Sequence, residues 1–297
     1  GLLTSVGEEW LAQKHTLQPL FTHRAVEGYT AAMVSEIERM SAAWAAAGDQ
    51  QIDLGEQMQW LTLRVVVRAL FSDSADGVVP EVREAFPILS DLVIRRATAA
   101  ITLPRRVPTP RMQRARAAHR KLLAVCDEII AARRAGRSTG EEDMLARLLA
   151  ARDGDRALTD DEIRDQLLIF LLAGHETPST ALTFALHLIG RHPEVQERVR
   201  AEAEETFIMV SPRSAVPAQL PYTTAVLKET MRLFPSVPVM TRRTIVDDEI
   251  LGHPIRHGVD VIIVPWTIHR HPDFWSDPER FDPERFTDPA ANLARHR

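Results

Sequence analysis

The 297-residue sequence contains one cysteine, two tyrosines and few aromatic residues of any kind, 6% in all. The lone thiol, Cys126, excludes an intrachain disulfide framework and fits a reducing compartment. The longest apolar run, Leu167–Gly174, falls well short of the roughly 18–20 residues a membrane span needs. No secretory leader opens the chain, and its first residue is Gly1 rather than Met. The chain is therefore expected to be cut from a longer, cytoplasmic protein, with room left for an N-terminal anchor in that parent. An excess of positive charge is also missing: the net charge of −5 argues against nucleic acid as the main partner. A zinc-protease helix is excluded too. His175-Glu176 would need a second histidine at 179, where Ser179 stands.

What is present suits a large core. Hydrophobic residues make up 45% of the chain, and their spacing is mostly helical. Helices are predicted over Trp10–Phe21, Ala25–Ala47, Met58–Phe71, Arg111–Arg134, Pro193–Glu205 and Pro221–Phe234, with a proline-rich loop at Thr102–Pro110. Thr159–Gly190 is predicted as a long central helix, opened by a capping box at Thr159–Glu162 and so apolar that burial on all sides is expected. After Pro235 the β-branched stretch Val237–Val264 predicts short hairpins, and the repeat Asp277–Phe281 and Asp282–Phe286 an irregular meander. The fold class expected is mainly α with a small β part. It forms a single incomplete domain over 1–297, helical to about 235, with hairpins and meander from about 236.

Two constellations carry chemistry. In Leu167–Thr177 an apolar helix turns polar at Glu176–Thr177, and Pro178 follows. Proline has no N–H to offer the Gly174 carbonyl, so a kink or local opening is expected. Gly174 would let a flat ligand approach the backbone, while Glu176 can move protons and Thr177 can donate or accept. A kinked core helix with structurally satisfied polar groups explains the same residues. The second constellation is Glu229 and Arg232, three apart on one helical face. A buried guanidinium needs more acceptors than one carboxylate provides, and the meander offers Arg280 and Arg285 as further charges. A Glu–Arg–Arg cluster pinning the meander to the helix is expected, in a structural role.

Taken together these residues resemble the cytochrome P450 family of haem-thiolate monooxygenases. Ala173–Thr177 is similar to its oxygen-binding helix motif, Glu229–Arg232 to its Glu-x-x-Arg helix, and Pro283–Phe286 to its meander motif. Trp10–Lys14 resembles its Trp-x-x-x-Arg helix, with Lys14 in the arginine position. The resemblance runs from about Trp10 to Phe286 and singles out Arg285 over Arg280. It implies the cytochrome P450 fold, here incomplete, and haem as cofactor. Glu176 and Thr177 would deliver protons during oxygen activation. Trp10, Lys14, Ala173, Gly174 and Arg242 would contact the haem, although Arg243 competes with Arg242 for that role. It also implies O2, an apolar small-molecule substrate and a ferredoxin- or reductase-type redox partner. No metal ligand is assigned in this chain.

The glycine-rich loop that carries the family's axial cysteine is not among the 297 residues, and Cys126 lies on a helix pattern beside Asp127, which disfavours a thiolate. His192, His253, His257, His269 and His271 are scattered and receive no role. The chain alone is therefore expected to be inactive. Two alternatives stand beside this reading: a degenerate relative serving as a scaffold, and a family member doing isomerase, dehydratase or peroxygenase chemistry.

Overall fold

The computed structural model describes residues 1–2, 5–72, 75–98, 109–136, 143–153, 156–211 and 217–288. The architecture is mainly α with small sheets, and these residues group into two compact units. The first comprises 1–52 and 59–176, the second 53–58 and 177–297.

In the first unit, α1 (Gly7–Leu17) has Glu8 and Glu9 in its first turn and Lys14 and His15 in its last, the arrangement the helix dipole favours. The continuous helix expected over 25–47 is broken into α2 (His23–Glu27) and α3 (Thr30–Ala47). The break falls at Gly28, where a Cβ would meet the Ala25 carbonyl at 3.2 Å and Arg147 Nη2 at 3.3 Å. There follow α4 (Leu54–Phe71), whose residues to Met58 belong to the second unit, α5 (Ala75–Thr98), α6 (Pro110–Arg134) and α7 (Met144–Ala150). Thr109 caps α6 by accepting from the Met112 N–H, and residues 102–108 of the expected loop lie outside the described residues. The buried stripe of α6, Ala115, Ala118, Leu122, Cys126 and Ile129, has the helical three-and-four spacing. From Ala118 onward it joins Leu63, Val67, Phe71, Val82, Phe86, Leu145, Leu148, Ile163 and Leu167 in one core. Strands β1 (Arg152–Asp153) and β2 (Arg156–Ala157) form a minimal antiparallel pair.

Helix α8 (Asp160–Arg191) opens with the expected capping box. Thr159 Oγ1 accepts from the Glu162 N–H, and Glu162 accepts from the Thr159 N–H at 2.9 Å. Its residues to Glu176 belong to the first unit and those from Thr177 to the second. Burial on all sides does not hold: Leu172 is 36% exposed, and Ala173 is exposed as well.

The second unit continues with α9 (Pro193–Met209) and α10 (Pro221–Leu233), around a core of Leu188, Val195, Tyr222, Val226, Leu233 and Phe281. Strand β3 (Met240–Arg243) pairs antiparallel with β6 (Asp260–Ile263), and β4 (Asp248–Ile250) with β5 (His253–Ile255). The tight β4–β5 turn places Leu251 and Gly252 at φ of 50° and 80°. Gly252 adopts this backbone freely, whereas Leu251 does so at a cost. A short α11 (Pro265–Ile268) and a 3₁₀ turn at Pro283–Phe286 complete the unit.

Candidate functional site

Helix α8 continues through Pro178 without interruption, so the proline opens no gap in it. Side-chain hydroxyls reach the carbonyls around the proline instead. Thr62 donates to the His175 carbonyl at 2.9 Å, Ser236 to that of Thr177 at 2.8 Å, and Thr183 to that of Ser179 at 2.7 Å. These bonds go to carbonyls beside the proline; the carbonyl whose helix donor Pro178 lacks is that of Gly174.

In the first unit Glu176 is half-buried, and Ser90 Oγ of α5 lies 3.2 and 3.3 Å from its two carboxylate oxygens, donating to the pair. The preceding His175 is buried at 6% exposure, edge-on to Phe86 with centroids 4.4 Å apart. Its Nδ1 has no hydrogen-bond partner. Burial pushes its pKa below the usual 6.5, partly offset by a backbone hydrogen bond at Gln59, so the ring is neutral. Gly174 does not leave the open approach the sequence suggested. A Cβ there would stand 2.9 Å from Val66 Cγ2, so the glycine is required by packing of α8 on α4. The exposed apolar surface lies one and two residues earlier, at Ala173 and Leu172. On α1, Lys14 is exposed, with its ammonium 4.9 Å from the Trp10 ring centroid.

In the second unit Thr177 begins the C-terminal half of α8. On β3, Arg243 is bound by Asp260 through two bonds of 2.7 Å each. Arg242 points to the other face of the strand and donates to the adjacent Thr241 carbonyl at 3.0 Å. Of the two arginines, Arg242 is the one not committed to a carboxylate among the described residues.

The structure brings Glu229, Arg232 and Arg285 together. Arg232 Nε and Nη2 donate to the two Glu229 oxygens at 2.7 and 2.8 Å. Its Nη1 donates to the His269 and Pro278 carbonyls, and Nη2 also to that of Arg280. All five guanidinium donors are thereby used. Glu229 accepts the Asp282 N–H at 2.9 Å and lies 3.4 Å from Arg285 Nε. Glu229 is fully buried, Arg232 and Arg285 nearly so, while Arg280 is exposed and contributes only its carbonyl. The cluster ties α10 to the 269–285 segment, and its members' hydrogen bonds are committed to that tie.

The cytochrome P450 family model matches residues 1–297. The chain belongs to the cytochrome P450 family. It is 34% identical over 289 residues to cyclooctat-9-en-7-ol 5-monooxygenase of Streptomyces melanosporofaciens, covering 96% of this chain and 62% of that protein. It is 31% identical over 288 residues to pentalenene oxygenase of Streptomyces avermitilis, covering 96% and 63%. Among solved structures it is similar to retinoic acid-bound cyanobacterial CYP120A1, with a TM-score of 0.82, 29% identity, and coverage of 99% of this chain and 65% of that one. The chain thus spans somewhat under two thirds of the length of these cytochromes P450.

Residues of both units fit the haem this family uses. In the first, exposed Ala173 and Leu172 suit a flat apolar macrocycle, and Lys14 beside Trp10 suits its anionic side groups. In the second, Arg242 offers a guanidinium for the same purpose. Cys126 does not fit as an iron ligand. It is 1% exposed in the α6 core, and burial, reinforced by Asp127, pushes its thiol up to about 12. Ser90, Thr62 and Ser236 were not legible as partners of α8, because lone hydroxyl residues dozens of positions away carry no local signal.

Proposed function

We propose that this chain supplies the oxygen-activation helix and scaffold of a haem-thiolate monooxygenase that inserts one oxygen atom of O2 into an apolar small organic substrate. The observation that carries the reading is the consecutive acid and alcohol, Glu176 and Thr177, on the uninterrupted α8 of a cytochrome P450 family member. Of the residues named for the haem, Trp10, Lys14 and Ala173 of the first unit and Arg242 of the second would contact it, while Gly174 packs against Val66. When bound, the haem supplies the iron at which O2 is reduced. Cys126 does not serve as the thiolate, because it is buried and its thiol is held protonated. Leu172 and Ala173 keep water from the reacting face. Ser90 steadies the Glu176 carboxylate, which exchanges protons with solvent, and the Thr177 hydroxyl passes them on. His175 remains neutral and takes no part in the relay.

The similar proteins named for cyclooctat-9-en-7-ol and pentalenene support an unsaturated, largely hydrocarbon substrate. Electrons would arrive from a ferredoxin- or reductase-type partner. The relative named bifunctional cytochrome P450/NADPH–P450 reductase 2 of Bacillus subtilis, 30% identical over 305 residues, has such a partner in its name. In the haem-loaded enzyme, Thr177→Ala is expected to lower product formed per NAD(P)H by at least about tenfold, the lost electrons appearing as peroxide. Unchanged coupling overturns the role given to that hydroxyl.

A further inference from the structure

The chain as a whole is acidic, yet from Arg95 to Lys121 it carries eight arginines and one lysine and no aspartate or glutamate. Within the first unit, the end of α5 and the start of α6 pack together and enclose a cleft of about 300 Å³. Pro87, Ile88 and Leu92 give it an apolar floor, and Arg95, Arg111 and Arg114 surround it. Arg95 is neutralised by Asp91 at 2.6 Å, the one carboxylate lining the cleft. Lys121, further along α6, is likewise taken by Glu81 and Glu84. Arg111 and Arg114 meet no carboxylate among the described residues. They sit three apart in the first turns of α6, where like charges repel one another and the helix dipole disfavours cations. Among the described residues, therefore, two guanidiniums without a carboxylate stand beside hydrocarbon, an arrangement that a ligand with an anionic head and an apolar body would relieve on both counts.

We propose that this cleft binds one molecule of an anionic amphiphile, its phosphate or carboxylate head between Arg111 and Arg114 and its hydrocarbon on Pro87, Ile88 and Leu92. The site uses none of the residues assigned to the oxygen chemistry of α8 and needs no haem. Calorimetric titration of the 297-residue chain with decyl phosphate, below its critical micelle concentration, tests it. Saturable one-to-one binding is expected, with 1-decanol and inorganic phosphate each binding far more weakly. The Arg111→Ala/Arg114→Ala variant should lose affinity by about tenfold or more, since each charge-assisted contact is worth roughly that factor. Both positions are exposed, and circular dichroism confirms that the variant remains folded. A separate cleft of about 410 Å³, lined by Gln113, Arg116, His119 and Arg120, provides the control. Arg116→Ala/Arg120→Ala should leave the affinity within about twofold, because exposed charges beyond contact are screened. Undiminished binding in the first variant, an equal loss in the second, or binding to phosphatidylglycerol vesicles without binding of the monomeric amphiphile would each overturn the proposal.

Discussion

His175 and Gly174 show how tightly the residues beside the acid–alcohol pair are held. The imidazole of His175 is kept neutral by burial, as is that of His269, where burial also leads. In the unfolded chain both rings take up a proton near the ordinary 6.5, but in the folded chain only at lower pH. Between those values the unfolded state binds more protons, so stability is complete above about 6.5 and is lost as pH falls toward the folded-state values. Urea denaturation at pH 7.5 and 5.5 should show this loss, and His175→Gln should reduce it. An equal loss in the variant would show that His175 does not titrate across the transition. The pair itself was legible in sequence, because an acid and an alcohol stand out in an apolar run. The reason for Gly174 was not: it depends on Val66, which only the packing of two helices brings to that point.

At the scale of elements the same packing becomes measurable. Gly174→Ala gains helix propensity of up to about 1 kcal/mol, yet forces Val66 aside, and overpacking of this kind costs about 1–3 kcal/mol. The variant should be less stable, and Val66→Ala should be better tolerated in its presence than alone. A double-mutant cycle from urea denaturation reads that coupling, and strict additivity would contradict the contact. The Glu229 cluster makes a larger prediction. Glu229→Ala strands two buried guanidiniums and should cost about 3–5 kcal/mol, while Arg232→Lys, which keeps the charge but not the planar fork, should also destabilise. A denaturation midpoint unchanged in both would refute the pinning role.

Long elements with local signals were readable: the α8 capping box and the buried stripe of α6 occur where the residue pattern puts them. Helix α5 was not, because Pro80 and Pro87 punctuate it. Burial of Val78, Val79, Val82, Ala85 and Phe86 outweighs that local preference. The Gly28 break was missed for the converse reason. Glycine is tolerated within helices, and the crowding by Arg147 comes from a distant segment.

At the scale of the whole molecule, the residues assigned to haem and oxygen lie in both compact units, and α8, like α4, contributes residues to each. No helix among the described residues is long and apolar enough to cross a membrane. Family membership was legible because four short motifs fall in order along nearly the whole chain, and the family match over 1–297 agrees. Substrate identity was not, since apolar contacts name no particular molecule. The central claim is that Glu176 and Thr177 act as one proton-delivery unit, and groups acting as a unit lose function non-additively. The most direct test measures product formed per NAD(P)H in the haem-loaded enzyme for Glu176→Gln, Thr177→Ala and the double variant. The account predicts that the double variant is no worse than the weaker single one. Losses that multiply, or coupling that stays at the wild-type level in all three, would contradict it.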